Sequence, residues 1–315
     1  MGRYLIRRLL ITIPVLLGVT AMSYLIMSLT PGDPVQALID PNMSQADVEV
    51  KRHALGLDQP IYVRYVKWLE EMGHGNLGYS FSSGVPVAAR IGERLVPTLT
   101  LTLSALVLSY LIAVPAGVLA ATRRYTWVDY AATLLAFLGI SLPTFFLGLL
   151  GIYVFALRLR WLPTGGTITL GGGGFLDEAS HLVLPAVVLA AAGVGALTRY
   201  VRSSMLEVLG QEFVRTARAK GLAHGVVLRR HALRNALLPV VTLAGLQVPA
   251  LLAGAVITEQ VFEWPGMGRL TIEAIGQRDY PVLMGITLTA AVLVTVGNLL
   301  ADLTYSLIDP RIRYD

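Results

Sequence analysis

The chain has 315 residues, of which 55% are hydrophobic and only 14% charged, with a net charge of +5 and no cysteine. Soluble domains carry about 25% charged residues, so this composition, with a mean hydropathy of +0.65, argues against a soluble enzyme or a nucleic-acid-binding domain. The missing cysteines exclude disulfides and cysteine-based metal sites.

Six uncharged apolar runs follow one another: Leu9–Leu29, Pro97–Ala121, Tyr130–Leu157, Leu182–Thr198, Asn235–Thr258 and Tyr280–Ala301. A helix needs about 20 apolar residues to cross roughly 30 Å of hydrocarbon, so each run is read as one span, the fourth being the shortest at 17 residues. The expected fold class is an all-α polytopic membrane protein with six transmembrane helices. The basic start MGRYLIRR precedes a 21-residue apolar run. A cleaved signal has an apolar core of about 7–15 residues, so this run reads as an uncleaved first span.

After span one, Ile61, Tyr65, Trp68, Leu69 and Met72 recur at helical spacing and predict an amphipathic helix. It is expected to pack on the rim of the spans, contact with a substrate-delivering protein being the other reading. Gly165–Phe175, GGTITLGGGGF, reads as a plain flexible loop. The five histidines are scattered with no pair at i, i+4, and no metal site is expected. Pro115, Pro143, Pro185 and Pro249 interrupt spans and read as kinks that neighbouring helices tolerate, or as hinges. Arg199, Arg202 and Asp302 fall near one set of span ends and Glu259 near the other. Polar uncharged groups such as Thr100, Thr102, Ser141, Gln247 and Asn298 are left to line a pathway. A carboxylate at mid-span would suit an ion-coupled carrier, and none is visible.

Short loops set orientation through their Lys/Arg bias. With the N-terminus cytoplasmic, 15 basic residues fall inside and four in the two short outer loops, while acidic residues divide 6 inside and 14 outside. Both termini are therefore expected in the cytoplasm, and so is EFVRTARAKGLAHGVVLRRHALRNALLP, Glu212 to Pro239, which carries six basic residues against one acid. Burying those six in hydrocarbon would cost roughly 15 kcal/mol or more at about 2.5–3.5 kcal/mol each. Phe213, Ala217 and Gly221 at i, i+4, i+8, with Arg215 and Arg218 opposite, predict a short amphipathic helix stopped by Gly221. A second helical run is expected from Val226, feeding into span five. Two readings stand for this loop: a basic anchor on anionic lipid headgroups, or a docking helix for a cytoplasmic partner.

The order of the residues resembles a known family. R-T-A-R-A-K-G-L (Arg215–Leu222) followed by H-A-L-R-N-A-L-L-P (His231–Pro239) is similar to the coupling loop of ABC-importer permeases, specifically the dipeptide/oligopeptide/nickel group. T-P-G-D-P (Thr30–Pro34), L-G-L-D-Q-P (Leu55–Pro60), G-N-L-G-Y-S (Gly75–Ser80), W-L-P-T-G-G (Trp161–Gly166), F-E-W-P-G-M-G-R-L (Phe262–Leu270), R-D-Y-P (Arg278–Pro281) and D-P-R-I-R-Y (Asp309–Tyr314) complete the resemblance in matching order. The broader permease pattern has Glu-Ala-Ala where this chain reads Arg215-Thr216-Ala217, so only the narrower group fits.

The resemblance implies a type I ABC-importer permease architecture. Residues 1–93 would be the first span with an extracytoplasmic loop region, 94–304 the five-span permease domain with a coupling loop at about 203–234, and 305–315 a cytoplasmic tail. It implies a non-catalytic subunit forming half of a pathway for di- or oligopeptides, with nickel, glutathione or oligosaccharides as alternatives and an ion-coupled secondary transporter as the competing class. The chain has no G-x-x-x-x-G-K-[ST] phosphate cradle, so no cofactor is expected here, ATP and Mg being used by partner ATPases. The implied partners are a second homologous permease, one or two kinds of cytoplasmic ABC ATPase, an extracytoplasmic substrate-binding protein and membrane lipid, with no nucleic acid. The implied coupling residues are Arg215, Ala217, Arg218, Ala219, Lys220, Gly221 and Leu222. The three cations would pair with partner acids or carbonyls, and Ala217 and Ala219 would leave room for close approach.

Overall fold

The structure is a computed structural model describing residues 2–29, 44–54 and 56–308. The motif Thr30–Pro34, Leu55 of Leu55–Pro60, Asp309–Tyr314 and most of the expected 305–315 tail lie outside the described residues, as does the side chain of Asp302. The described chain is helical, with one isolated antiparallel bridge, Tyr79 to Pro86.

In order the helices are α1 (Gly2–Leu29), α2 (Gln45–Ala54), α3 (Ile61–Gly73), α4 (Val87–Thr122), α5 (Trp127–Ser141), α6 (Thr144–Gly151) running into a π-helical turn (Ile152–Arg158), α7 (Phe175–Leu209) and α8 (Glu212–Ala219). Then come α9 (His224–Val226), a π-helical segment (Val227–Leu233), α10 (Arg234–Ala236), α11 (Leu238–Val261), α12 (Met267–Gly276) and α13 (Tyr280–Ile308). Four of these contain stretches long and apolar enough to cross a membrane: Leu10–Leu29, Val87–Thr122, Phe175–Leu209 and Tyr280–Leu300.

Two of the spans differ in shape from the apolar runs that mark them. The third run is not one straight span. It breaks into α5 and α6 with a bend of 106°, because Pro143 has no N–H and pushes Leu142 into extended backbone (φ −84°, ψ 131°). Counting that bent pair as one gives five such spans among the described residues. The run expected as span five is helical through the 24 residues of α11. The fourth run, read as the shortest, lies in a helix of 35 residues. At 1.5 Å per residue such a helix is about 52 Å long. Its charged ends, Asp177 and Glu178 at one and Arg202 and Glu207 at the other, conceal the length from hydropathy.

The chain forms two compact units, Met1–Pro97 with Pro265–Thr295, and Thr98–Trp264 with the segment from Val296. In the first, Val87 and Ile91 of α4, Leu270 and Ala274 of α12, and Val282 and Ile286 of α13 make one buried cluster. The amphipathic reading of α3 holds, and its Tyr65 hydroxyl reaches α1 at Thr20 Oγ1 (3.0 Å) and the Leu17 carbonyl (3.2 Å). That is the rim-packing arrangement.

In the second unit α5 crosses α7 at backbone contact. A Cβ added at Gly195 would meet the Ala136 carbonyl at 2.3 Å, and one at Gly139 would meet the Ala191 carbonyl at 2.6 Å. Small residues at helix crossings are what membrane helices use to pack when lipid is as apolar as leucine. The glycine-rich loop is a further correction, because it is pinned at several points. Gly166 N–H donates to the Phe262 carbonyl (2.8 Å), the Gly165 carbonyl meets buried His181 Nδ1 (2.9 Å), and Thr169 Oγ1 donates to Asp177 (2.6 Å). Repeated glycines hid contacts made by their backbone.

Candidate coupling site

The amphipathic segment α8 begins where α7 stops at Gly210, and Gln211 is its extended N-cap residue. Its seat is apolar: Val214 (0% exposed) and Ala217 (6%) pack with Val227 (1%) of the π-helical segment, against Val208 and Leu209 of α7. The predicted stripe through Phe213 is displaced by one residue. Phe213 is 44% exposed, and Val214 takes the buried line.

The helix ends in a complete Schellman motif. Gly221 N–H donates to the Arg218 carbonyl (2.9 Å), and Leu222 N–H reaches back to the Ala217 carbonyl (3.4 Å). The motif requires positive φ at the residue after the cap, and Gly221 has φ +75°, a conformation that costs other L-residues about 1–2 kcal/mol. A Cβ at Gly221 would meet nothing within 4 Å. Glycine is thus required there for backbone geometry, and no crowding inside this chain demands it.

The expected site residues divide into two groups. Arg215, Arg218, Ala219, Lys220, Gly221 and Leu222 are exposed, along with Phe213 and Val226. They make one solvent-facing surface on which cations alternate with apolar groups. Ala217 does not belong to it. Expected to leave room for a partner, it is buried against Val227, because its helical phase with Val214 faces the chain's own core. Arg215 was expected to await partner acids, yet its guanidinium meets Glu212 at 2.9 Å in an exposed i, i+3 pair. Such pairs contribute about 0–1 kcal/mol, so Glu212 holds Arg215 only loosely.

The seat is held by groups the sequence reading missed. The second helical run starts at His224, two residues before Val226, and passes through the π-helical turn before α11 begins at Leu238. Pro239 therefore sits in the first helical turn of α11, where its missing N–H costs nothing. Ser204 Oγ of α7 donates to the Ala236 carbonyl (2.8 Å). Arg202 of α7 forks onto Asp129 of α5, Nε to Oδ1 at 2.6 Å and Nη2 to Oδ2 at 2.8 Å, and Asp129 is 3% exposed. Tyr125 N–H donates to the same carboxylate (3.1 Å) from a turn in which Tyr125 has φ +62°. Arginine's rigid fork suits this bidentate geometry. The only sequence signal was two opposite charges near span ends, 73 residues apart.

Of the residues offered as pathway lining, Thr102 is occupied otherwise, its hydroxyl bonding the Thr98 carbonyl of its own helix at 2.8 Å. Glu259 is fully buried and accepts from Thr98 Oγ1 at 2.6 Å. In the other unit, Asp279 accepts from Ser80 Oγ (2.5 Å), Ser82 Oγ (2.9 Å) and Phe81 N–H (3.0 Å), with Arg90 Nη1 at 3.6 Å. That hub joins the quoted motifs G-N-L-G-Y-S and R-D-Y-P, which stand some 200 residues apart in the chain.

Residues 113–314 match the family described as binding-protein-dependent transport system inner membrane component, and residues 1–102 match its N-terminal companion. The oligopeptide transport system permease protein AppB of Bacillus subtilis is 49% identical over 316 residues, covering all of both chains. The dipeptide permease DppB of Escherichia coli K12 is 39% identical over 100% of this chain and 99% of its own. The glutathione permease GsiC of E. coli O6:H1 is 40% identical over all of both. Among solved structures, the inward-facing MetNI methionine ABC transporter superposes with a TM-score of 0.56 at 18% identity, over 70% of this chain and 96% of that one, a likeness of fold. The chain belongs to the binding-protein-dependent transport system inner membrane component family, the multi-pass permease subunits of ABC importers.

Proposed function

We propose that this chain forms half of the pathway of an ATP-driven peptide importer, paired with a second permease of the same family. A binding protein outside the membrane delivers di- or oligopeptides, and ATPases in the cytoplasm drive the cycle through α8. The observation that carries this reading is end-to-end similarity to oligopeptide and dipeptide permeases, together with a short helix seated on apolar side chains whose outer face is cationic and apolar. ATP binding would draw two such helices together with their ATPases and turn the spans between inward- and outward-open states. A rigid seat serves that task. Val214, Ala217 and Val227 transmit force to α7 and α11, while Phe213, Arg218, Lys220 and Leu222 meet the ATPase. Under the orientation from the basic loops, α8 lies in the cytoplasm with both termini, and α2 and α3 lie outside.

The test reconstitutes the chain with its second permease, ATPases and binding protein in liposomes and measures uptake of labelled di-, tri- and pentapeptides, glutathione and nickel. Saturable, ATP-dependent uptake of peptides, competed by unlabelled peptides, is expected. Uptake confined to nickel or to glutathione would overturn the substrate assignment, and uptake without ATPases would overturn the coupling.

A further inference from the structure

A cavity of about 410 Å³ opens between α1, α3, the turn at 56–59 and the start of α13, its lining including Tyr24, Arg64, Lys67, Trp68, Phe81 and Tyr280. It lies wholly within the first compact unit. Sites for small molecules are mostly apolar clefts of roughly 300–1,000 Å³ with a few placed polar groups, and this cavity has that character.

Arg64 and Trp68 stand four residues apart on α3, so their side chains share one face. Arg64 Nε and Trp68 Nε1 are buried nitrogens, and neither finds an acceptor among the described residues. The guanidinium lies 6.0 Å from the centroid of the Tyr24 ring, and the Trp68 ring stacks on Tyr65 at 6.3 Å. The aromatic rings therefore hold both donors in place. Among the described residues, no carboxylate lines the cavity. The nearby Asp58 is engaged by His53 Nδ1 at 2.8 Å. That hydrogen bond first, and the Lys67 charge to a smaller degree, hold its carboxyl below the usual range. Arg64 is left as a partly buried cation facing aromatic walls.

A buried donor without an acceptor costs about 1–3 kcal/mol, and a cation shielded from water costs more unless an anion meets it. The group that satisfies both donors is an oxyanion carried on an apolar body. We infer that this cavity is a binding subsite for the C-terminal end of a peptide, its carboxylate on Arg64 and Trp68 and its last side chain against Tyr24, Phe81 and Tyr280. The inference rests on the peptide-import reading above, whose orientation puts the cavity on the side from which substrate arrives. Four aromatic residues and an arginine held at one end would receive a released peptide before it enters the spans.

The experiment uses the assembled transporter, without its binding protein, in nanodiscs and with fluorotryptophan in place of tryptophan. Trp68→Phe assigns the Trp68 resonance in the ¹⁹F spectrum. Titration with leucyl-leucine is expected to shift that resonance saturably, and leucyl-leucinamide, which lacks the carboxylate, is expected to leave it in place. Arg64→Met is expected to raise the half-saturating concentration about tenfold, the scale of one lost hydrogen bond to a charged group, with Arg64→Lys intermediate. Unchanged positions of the other tryptophan resonances verify that the variants are folded. No shift, or equal shifts with acid and amide, would overturn the inference. A Trp68 resonance that moves between phosphatidylcholine and phosphatidylglycerol discs but ignores leucyl-leucine would reassign the cavity to lipid phosphate and overturn it as well. Peptide uptake by the complete system is measured in parallel. Intact uptake with no shift removes only the subsite, whereas absent uptake of every peptide removes the importer reading itself.

Discussion

Gly221 separates two accounts of α8, and the structure fixes what each of three substitutions does. At φ +75° an alanine pays the left-handed penalty, about 1 kcal/mol at its lower end, with no clash because the Cβ position is open. By itself that is about a fivefold bias against the capped form, since 1.36 kcal/mol is tenfold. Asparagine tolerates the left-handed region and so adds bulk with little strain. Aspartate adds a charge beside Arg218 and Lys220. If α8 seats in an ATPase cleft, Gly221→Asn is expected to lower uptake although strain is small, and Gly221→Asp to abolish it, with membrane abundance preserved in both. If the loop only anchors on lipid, Gly221→Asp takes the Glu212–Pro239 stretch from +5 to +4 by sequence count, a loss of about 1 kcal/mol of surface attraction, and uptake barely changes. The assay measures labelled-peptide uptake, membrane abundance and ATPase co-purification in the same cells. Near-normal uptake by all three variants with ATPases still bound would refute a coupling role for this glycine. Equal defects for alanine and aspartate would refute the part assigned to charge.

Arg202→Ala leaves Asp129 buried without its fork and is expected to cost about 3–5 kcal/mol, read as a lower Tm of the purified transporter. Asp129→Ala combined with Arg202→Ala should recover part of it, and a double variant worse than either single one would contradict the pairing. Asp279→Ala removes the acceptor of Ser80, Phe81 and Ser82 and is expected to open residues 80–86 to limited proteolysis at a point where the parent chain resists. Gly195→Leu drives a side chain into the Ala136 carbonyl and is expected to abolish stable insertion, measured as membrane abundance, while Gly92→Leu, with open space at its Cβ, leaves it unchanged. For orientation, single cysteines at Ser83 and Leu170 are expected to react with an impermeant thiol reagent from outside and ones at Thr126 and Ala223 not to react. All four positions are exposed, and reversed labelling would overturn the proposed orientation.

Hydropathy and motif order were enough to establish an all-α membrane permease, because desolvating charge in hydrocarbon is costly whatever the packing. The end of α8 was legible too, since positive φ after a helix is a local demand that glycine meets. Span geometry was less so. Pro143 could be read as a kink, but a 106° break depends on what packs against each half. Burial of Val214 in place of Phe213 turned on the position of Val227, a neighbour supplied by the following helical run. The two carboxylate hubs were invisible for the same reason. Asp129 meets Arg202 across 73 positions and Asp279 meets Ser80 across 199, and no local pattern encodes contacts of that separation. Sequence by itself determined which segments must leave water and where the backbone must turn. Only tertiary structure decided which polar groups meet once water is gone, because a charge or hydroxyl finds its partner by position in space.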